Sequence, residues 1–237
     1  MCTVTFIPQA GGFILTSNRD EDPNREMALP PELYDTDGGK LIFPKDPRGG
    51  GSWICTSSSF TLCLLNGADQ FHEKRGPYRH SRGLVVLNFY EYDGVEDFNN
   101  RYDLTDIEPF TLVVVDHQQS VLHQLRWNGI SRELRRLNWN QAHIWSSFTL
   151  YPEEIIEQRE QWFDDFLAKH SQGQEDVLNF HRFGGTGDIQ HDLVMSRHGR
   201  VMTISITQIT YGSTHHIRYY DLRKDSMSDQ VLNEVWQ

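Results

Sequence analysis

The order of hydrophobic and polar positions predicts strands first. Residues 3–7 (Thr-Val-Thr-Phe-Ile) alternate with a period of two, residues 8–12 carry turn formers, and residues 13–17 give a second strand. The first two strands are therefore expected to form a hairpin. A proline-rich polar loop is expected over residues 22–47, followed by a strand pair over 52–56 and 60–65 joined by a serine-rich turn. Ser81 is a good N-cap for a helix over 84–90, and a second short helix is expected over 95–101. Strands return at 111–116, 121–127 and 133–137, the last two joined through Asn128-Gly129, a strong hairpin signal. Pro152 followed by Glu153 and Glu154 opens the best helix of the chain, 153–169. Its stripe of Ile155, Ile156, Arg159, Trp162, Phe163 and Phe166 has helical spacing and reads as core. A short helix at 175–180 and two final strands, 201–211 and 216–221, complete the pattern. Segregated hairpins and helices predict an α+β fold of antiparallel sheets with helices packed outside. With no repeat, low-complexity tract or shift in composition, residues 1–237 are expected to be a single domain.

Charge narrows the partners. The chain has 22 basic and 33 acidic residues, a net charge of −11. Nucleic acids and anionic membranes recruit basic patches, so neither is an expected partner. The run from Arg132 to Arg136 holds three arginines around Glu133 and Leu134 and reads as a solvated strand face. No stretch reaches the ~18 apolar residues of a membrane helix. The N-terminus lacks a basic region followed by an apolar one, so a soluble cytoplasmic protein is expected. Six Trp, nine Tyr and thirteen Phe are too much aromatic surface for a disordered chain.

Cys55 and Cys63 flank a polar turn and are expected to face each other across a hairpin as small buried hydrophobes. The glycine run 49–51 lacks the Gly-Lys-Ser ending of a phosphate loop and reads as a turn that lets backbone approach closely. Adjacent His215 and His216 would point to opposite faces of a strand, and no HExxH stands on a helix, so no metal or other cofactor is expected.

The chemistry begins at Met1-Cys2. Removal of Met1 would leave Cys2 with a thiol of reference pKa near 8.5 and an α-amine near ~7.7–8.0, a nucleophile and a base on one residue. Asn18-Arg19-Asp20-Glu21 closes the second strand, which a hairpin returns towards Cys2. Arg19 can favour a thiolate by its permanent charge, and Asp20 can orient the α-ammonium. A strand-end turn with a surface ion pair has the same pattern.

Met1-Cys2-Thr3 with Asn18-Arg19-Asp20-Glu21 resembles the NRDE family, whose eukaryotic members are the transport and Golgi organisation 2 proteins. Further matches are residues 50–54 (Gly-Gly-Ser-Trp-Ile), 65–67 (Leu-Asn-Gly), 80–83 (His-Ser-Arg-Gly) and 203–207 (Thr-Ile-Ser-Ile-Thr). The resemblance implies an N-terminal nucleophile hydrolase fold, a four-layer αββα sandwich, similar to the cysteine branch that contains penicillin V acylase and bile salt hydrolase. It also implies acyl transfer from a non-peptide amide through a thioester. Cys2 would be the nucleophile, Arg19 and Asp20 would position it, and Asn18, Asn66 or Ser147 would bind substrate or oxyanion. Where the acylases carry an Asn after the middle strands, this chain reads Trp145-Ser146-Ser147-Phe148, and Asn66 before Gly67 is also a natural turn residue. The implied partner is a small acylated substrate. A non-catalytic carrier of lipid, acyl-CoA or haem in the same cleft is the alternative, and an interaction scaffold is a third.

Overall fold

A computed structural model describes residues 3–69, 72 and 75–236. In chain order the strands are β1 (Thr3–Gln9), β2 (Gly12–Glu21), β3 (Leu29–Thr36), β4 (Gly39–Lys45), β5 (Ile54–Thr56), β6 (Phe60–Asn66), β7 (Phe110–Asp116), β8 (Val121–Trp127), β9 (Arg132–Leu137), β10 (His143–Ser146), β11 (Ser196–Arg197), β12 (Val201–Tyr211), β13 (His216–Asp221) and β14 (Ser226–Val231). The helices are α1 (Arg82–Asn88), α2 (Val95–Arg101), α3 (Glu153–Lys169) and α4 (Gln174–Phe183), with a 3₁₀ turn at Phe89–Glu91. No helix among the described residues is long and apolar enough to cross a membrane.

The described chain forms two compact units, one of residues 3–25 and 140–235, the other of residues 26–139 with Trp236. In the first, β10, β1, β2, β12, β13 and β14 form one antiparallel sheet in that order, with β11 paired to the start of β12. Register sets its faces: Thr3 pairs with Asn18, Thr5 with Thr16 and Ile7 with Ile14. Side chains alternate along a strand, so these six share one face with Asp20, and Arg19 lies on the other. Helices α3 and α4 cover the first face, where Ile7 and Ile14 pack with Phe163, Phe166, Val177, Phe180 and Leu193. Burial of seven such side chains supplies the main driving force there.

In the second unit β3 to β9 form an antiparallel sheet in sequence order. The Oγ of Ser81 accepts from Gly83 N at 3.3 Å, the expected N-cap of α1. The glycine run does permit a close approach: a Cβ on Gly51 would lie 2.2 Å from the Gly83 carbonyl carbon and 2.6 Å from Leu84 N. Gly51→Ala should therefore push the first turn of α1 off β5. We expect a loss of about 2 kcal/mol by urea unfolding; an unchanged midpoint would show that the backbone shifts at no cost.

Several expectations are corrected. Residues 22–47 are not a loop but contain the β3–β4 hairpin. Pro30 and Pro31 open an edge strand, where a missing N–H costs no ladder bond. Cys55 and Cys63 are buried and free, yet do not face each other: Cys55 pairs with Leu62 and Cys63 with Ile54, so the thiols point to opposite faces. The strands β10, β11 and β14 were not expected. The Arg132 to Arg136 run lies on edge strand β9, where Arg135 pairs with Glu133 at 2.7 Å.

Candidate functional site

The N-terminal end of β1 sits between β2 and β10, because Thr3 pairs with Asn18 on one side and with Ser146 on the other. This end is unusually polar for a buried place: Thr3, Thr5, Asn18, Arg19, Asp20, Ser146 and Ser147 are all buried. Burying such groups is costly unless every one is bonded.

Asn18 shows how this is met. Its Nδ2 donates to the carbonyls of His181 (3.1 Å) and Leu193 (2.7 Å), and its Oδ1 lies 2.6 Å from His181 Nδ1. Carbonyls only accept, so the amide orientation is fixed and His181 Nδ1 must carry the proton. His181 Nε2, 2.7 Å from Thr5 Oγ1, is then bare and accepts from that hydroxyl. Burial, with Arg159 adding repulsion, pushes the His181 pKa down to about 3, which keeps the ring neutral. Both amide hydrogens of Asn18 are committed, so in this arrangement it ties β2 to α4 and to Leu193.

Asp20 accepts from the Tyr151 hydroxyl at 2.6 Å and from Thr203 Oγ1 at 2.5 Å. Thr203 Oγ1 in turn accepts from Met195 N at 2.9 Å. A bulge in β12 between Thr203 and Ser205 allows this: Thr203 pairs with Asp20 and Ser205 with Arg19, one residue being left over. Such bulges re-aim side chains next to sites. Arg19, on the opposite face, lies 3.7 Å from Glu21.

Arg159 of α3 is fully buried. Its guanidinium donates to the carbonyls of His191 (2.9 Å) and Asp192 (2.7 Å) and to Thr3 Oγ1, and stands 3.7 Å from the centre of the Tyr151 ring. Among the described residues no carboxylate forms an ion pair with it.

The structure thus gathers Asn18, Arg19, Asp20 and Ser147 around the start of β1. Ser147 opens the turn that leads to Tyr151, its carbonyl accepting from Leu150 N and Tyr151 N, with its hydroxyl 3.1 Å from Thr149 Oγ1. Asn66 belongs to the other unit, at the end of β6, followed by Gly67 at φ +82°. Cys2 lies outside the described residues. Sequence reasoning missed Tyr151 and His181 and gave Thr203, within the matching 203–207 stretch, no role; Arg159 carried a signal, a cation inside an apolar helical stripe. Among the described residues no group of three or more His, Cys, Asp or Glu is placed to hold a metal ion.

The sequence profile of the family described as Transport and Golgi organisation 2 matches residues 1–217. The chain belongs to this family. No curated protein matches it in sequence. Among solved structures it resembles penicillin V acylase from Agrobacterium tumefaciens, with a TM-score of 0.59 and 7% identity over 99% of this chain and 87% of that one. It also resembles the C2A mutant of conjugated bile acid hydrolase from Clostridium perfringens, with a TM-score of 0.53 and 7% identity over 99% and 93%. At such identity the likeness shows the fold: two antiparallel sheets with four helices, the α+β architecture of N-terminal nucleophile hydrolases. The family and fold implied by the Asn-Arg-Asp-Glu strand end are those found.

Proposed function

We propose that the protein is a cytoplasmic N-terminal-cysteine amidohydrolase or acyltransferase acting on a non-peptide amide, with the chain working as one domain. The observation that supports this most is the buried polar strand end. Thr3, bonded covalently to Cys2, pairs with Asn18, and the next two residues of β2 place a guanidinium on one face and a carboxylate on the other. A packing role alone gives no reason to bury both.

In this reading the Cys2 thiolate attacks the amide carbonyl carbon, forming a C–S bond and a tetrahedral oxyanion. The C–N bond then breaks and the amine leaves with a proton from the Cys2 α-ammonium. Water, deprotonated by the same amine, cleaves the thioester to a carboxylic acid and restores the thiol. Arg19 favours the thiolate by its charge, Asp20 orients the α-amine, and the Ser147 hydroxyl donates to the oxyanion. No metal or cofactor is invoked.

The mechanism requires a free α-amine on Cys2. The intact mass of the protein purified from its native host should be lighter by one methionine than the 237-residue chain. Such protein should turn over members of a panel of acyl amides and thioesters. Cys2→Ala and Cys2→Ser should each lower that turnover by at least about 10³-fold without changing the melting curve. Unchanged turnover in either variant overturns the reading.

A further inference from the structure

The two arginines beside β1 are not equivalent. Arg19 has Glu21 at 3.7 Å on its own strand. Arg159, on the other face of the sheet, is neutralised by no carboxylate among the described residues and is held by carbonyl dipoles, one hydroxyl and an aromatic face. An ion placed so in low dielectric costs several kcal/mol. A methionine or leucine would escape that cost but leave the His191 and Asp192 carbonyls and the Thr3 hydroxyl without this donor, so Arg159 both ties these groups together and brings a positive charge beside β1.

The surroundings aim this charge at the chain start. From β1, Thr3 Oγ1 is bonded to the guanidinium. From β2, Asp20 lies on the same face and is reached through Tyr151, whose ring stacks on Arg159 and whose hydroxyl donates to Asp20; Arg19 and Glu21 occupy the other face. From α4, His181 is neutral, its pKa pushed down by burial first and by Arg159 second. From the segment before β12, Asp192 gives its carbonyl to Arg159 but turns its carboxylate to the amides of Thr186 (2.8 Å) and Gly187 (3.0 Å). Arg197 stacks on the same Tyr151 ring at 5.3 Å and adds positive charge.

We propose that Arg159 is a positioning residue for the Cys2 reaction: an uncompensated guanidinium that pins Thr3 and, through its charge, favours the Cys2 thiolate. This rests on the proposed function. A positive charge close to a thiol favours loss of its proton, here to the α-amine, which later returns it to the leaving group. The sheet end then carries a guanidinium on each face, of which Arg159 is the one whose field is not cancelled locally.

The test is the pH dependence of Cys2 alkylation by iodoacetamide, read by peptide mapping on protein that has lost Met1; it needs no substrate. Cys55 and Cys63 are fully buried and do not compete in the folded protein. Two neutral variants, Arg159→Met and Arg159→Gln, are compared with the charge-keeping Arg159→Lys. The proposal expects the Cys2 thiol pKa to rise by about one unit or more in a folded neutral variant and to stay near the wild-type value in the lysine variant. A folded neutral variant with the wild-type thiol pKa overturns it. So does loss of folding in both neutral variants while Arg159→Lys folds, which would make the role structural. Failure of the proposed function has a different signature: turnover that survives Cys2→Ser, whatever the alkylation profile.

Discussion

Replacing Asn18 with alanine is expected to destabilise the protein by about 3–5 kcal/mol, far more than deletion of a surface amide. The amide makes three hydrogen bonds inside the protein. Truncation strands the Nδ1–H of His181 and removes a donor from the His181 and Leu193 carbonyls, the second of which keeps only the longer bond from Thr203 Oγ1 at 3.3 Å. An unsatisfied buried polar group costs about 1–3 kcal/mol, and a water entering the vacated space would recover part of the sum. For a chain of this size each kcal/mol shifts Tm by about 2–4 °C, so a fall of roughly 8–15 °C follows. Urea unfolding followed by circular dichroism should show a lower midpoint with an unchanged slope. A Tm within 2 °C of wild type would mean that the Asn18–His181 lock contributes nothing net.

That lock also shows what the sequence revealed and what it concealed. The tetrapeptide Asn18-Arg19-Asp20-Glu21 was legible as a candidate site because local pattern put it at the end of a strand returning towards Cys2. Its partners were not legible. Tyr151 is 131 residues from Asp20, His181 is 163 from Asn18 and Thr203 is 183 from Asp20; Tyr151 and His181 have no sequence signature, and Thr203 opens a stretch that carried the resemblance without pointing to a role. They depend on the β12 bulge and on which face α3 and α4 cover. Arg159 alone left a trace, because a cation in register with Ile156, Phe163 and Phe166 has to be either solvated or bound, and the structure shows it bound.

The same division holds for the fold. Strands buried on one or both faces, such as β1, β2, β7 and β12, carry the periodicity of their packing, and α3 carries both its stripe and its acidic first turn. Edge strands do not. Half-solvated β3 opens with prolines, and β14 (Ser-Met-Ser-Asp-Gln-Val) is polar because it packs on one neighbour only. Asp37-Gly38 between β3 and β4 was the missed hairpin signal. The offset of Cys55 and Cys63 is a matter of register, which one residue of turn length reverses.

The second large effect is acid sensitivity without any exposed histidine being responsible. His181 has its pKa pushed down to about 3 and His215 to about 4, in both cases chiefly by burial. In the unfolded chain both titrate near the ordinary value of 6.5. Between these limits the unfolded state takes up protons that the folded state refuses, so the stabilising contribution is complete above about pH 6.5 and is lost as pH falls. Each such histidine contributes a slope of about 1.4 kcal/mol per pH unit. From pH 6.5 to 4.5, His181 alone should cost roughly 2–3 kcal/mol, and His215 a comparable or smaller amount. Half-buried His123 is also held below its ordinary value, chiefly by burial, and adds in the same direction. Urea midpoints measured from pH 7 to 4.5 should therefore fall steadily. In His181→Gln, which loses the titrating group, absolute stability should be lower but the slope less steep, the part from His215 and His123 remaining. A wild-type midpoint that stays level across this range would mean that the ring is protonated within the fold, and the neutral tautomer linking Asn18 to Thr5 would have to be abandoned.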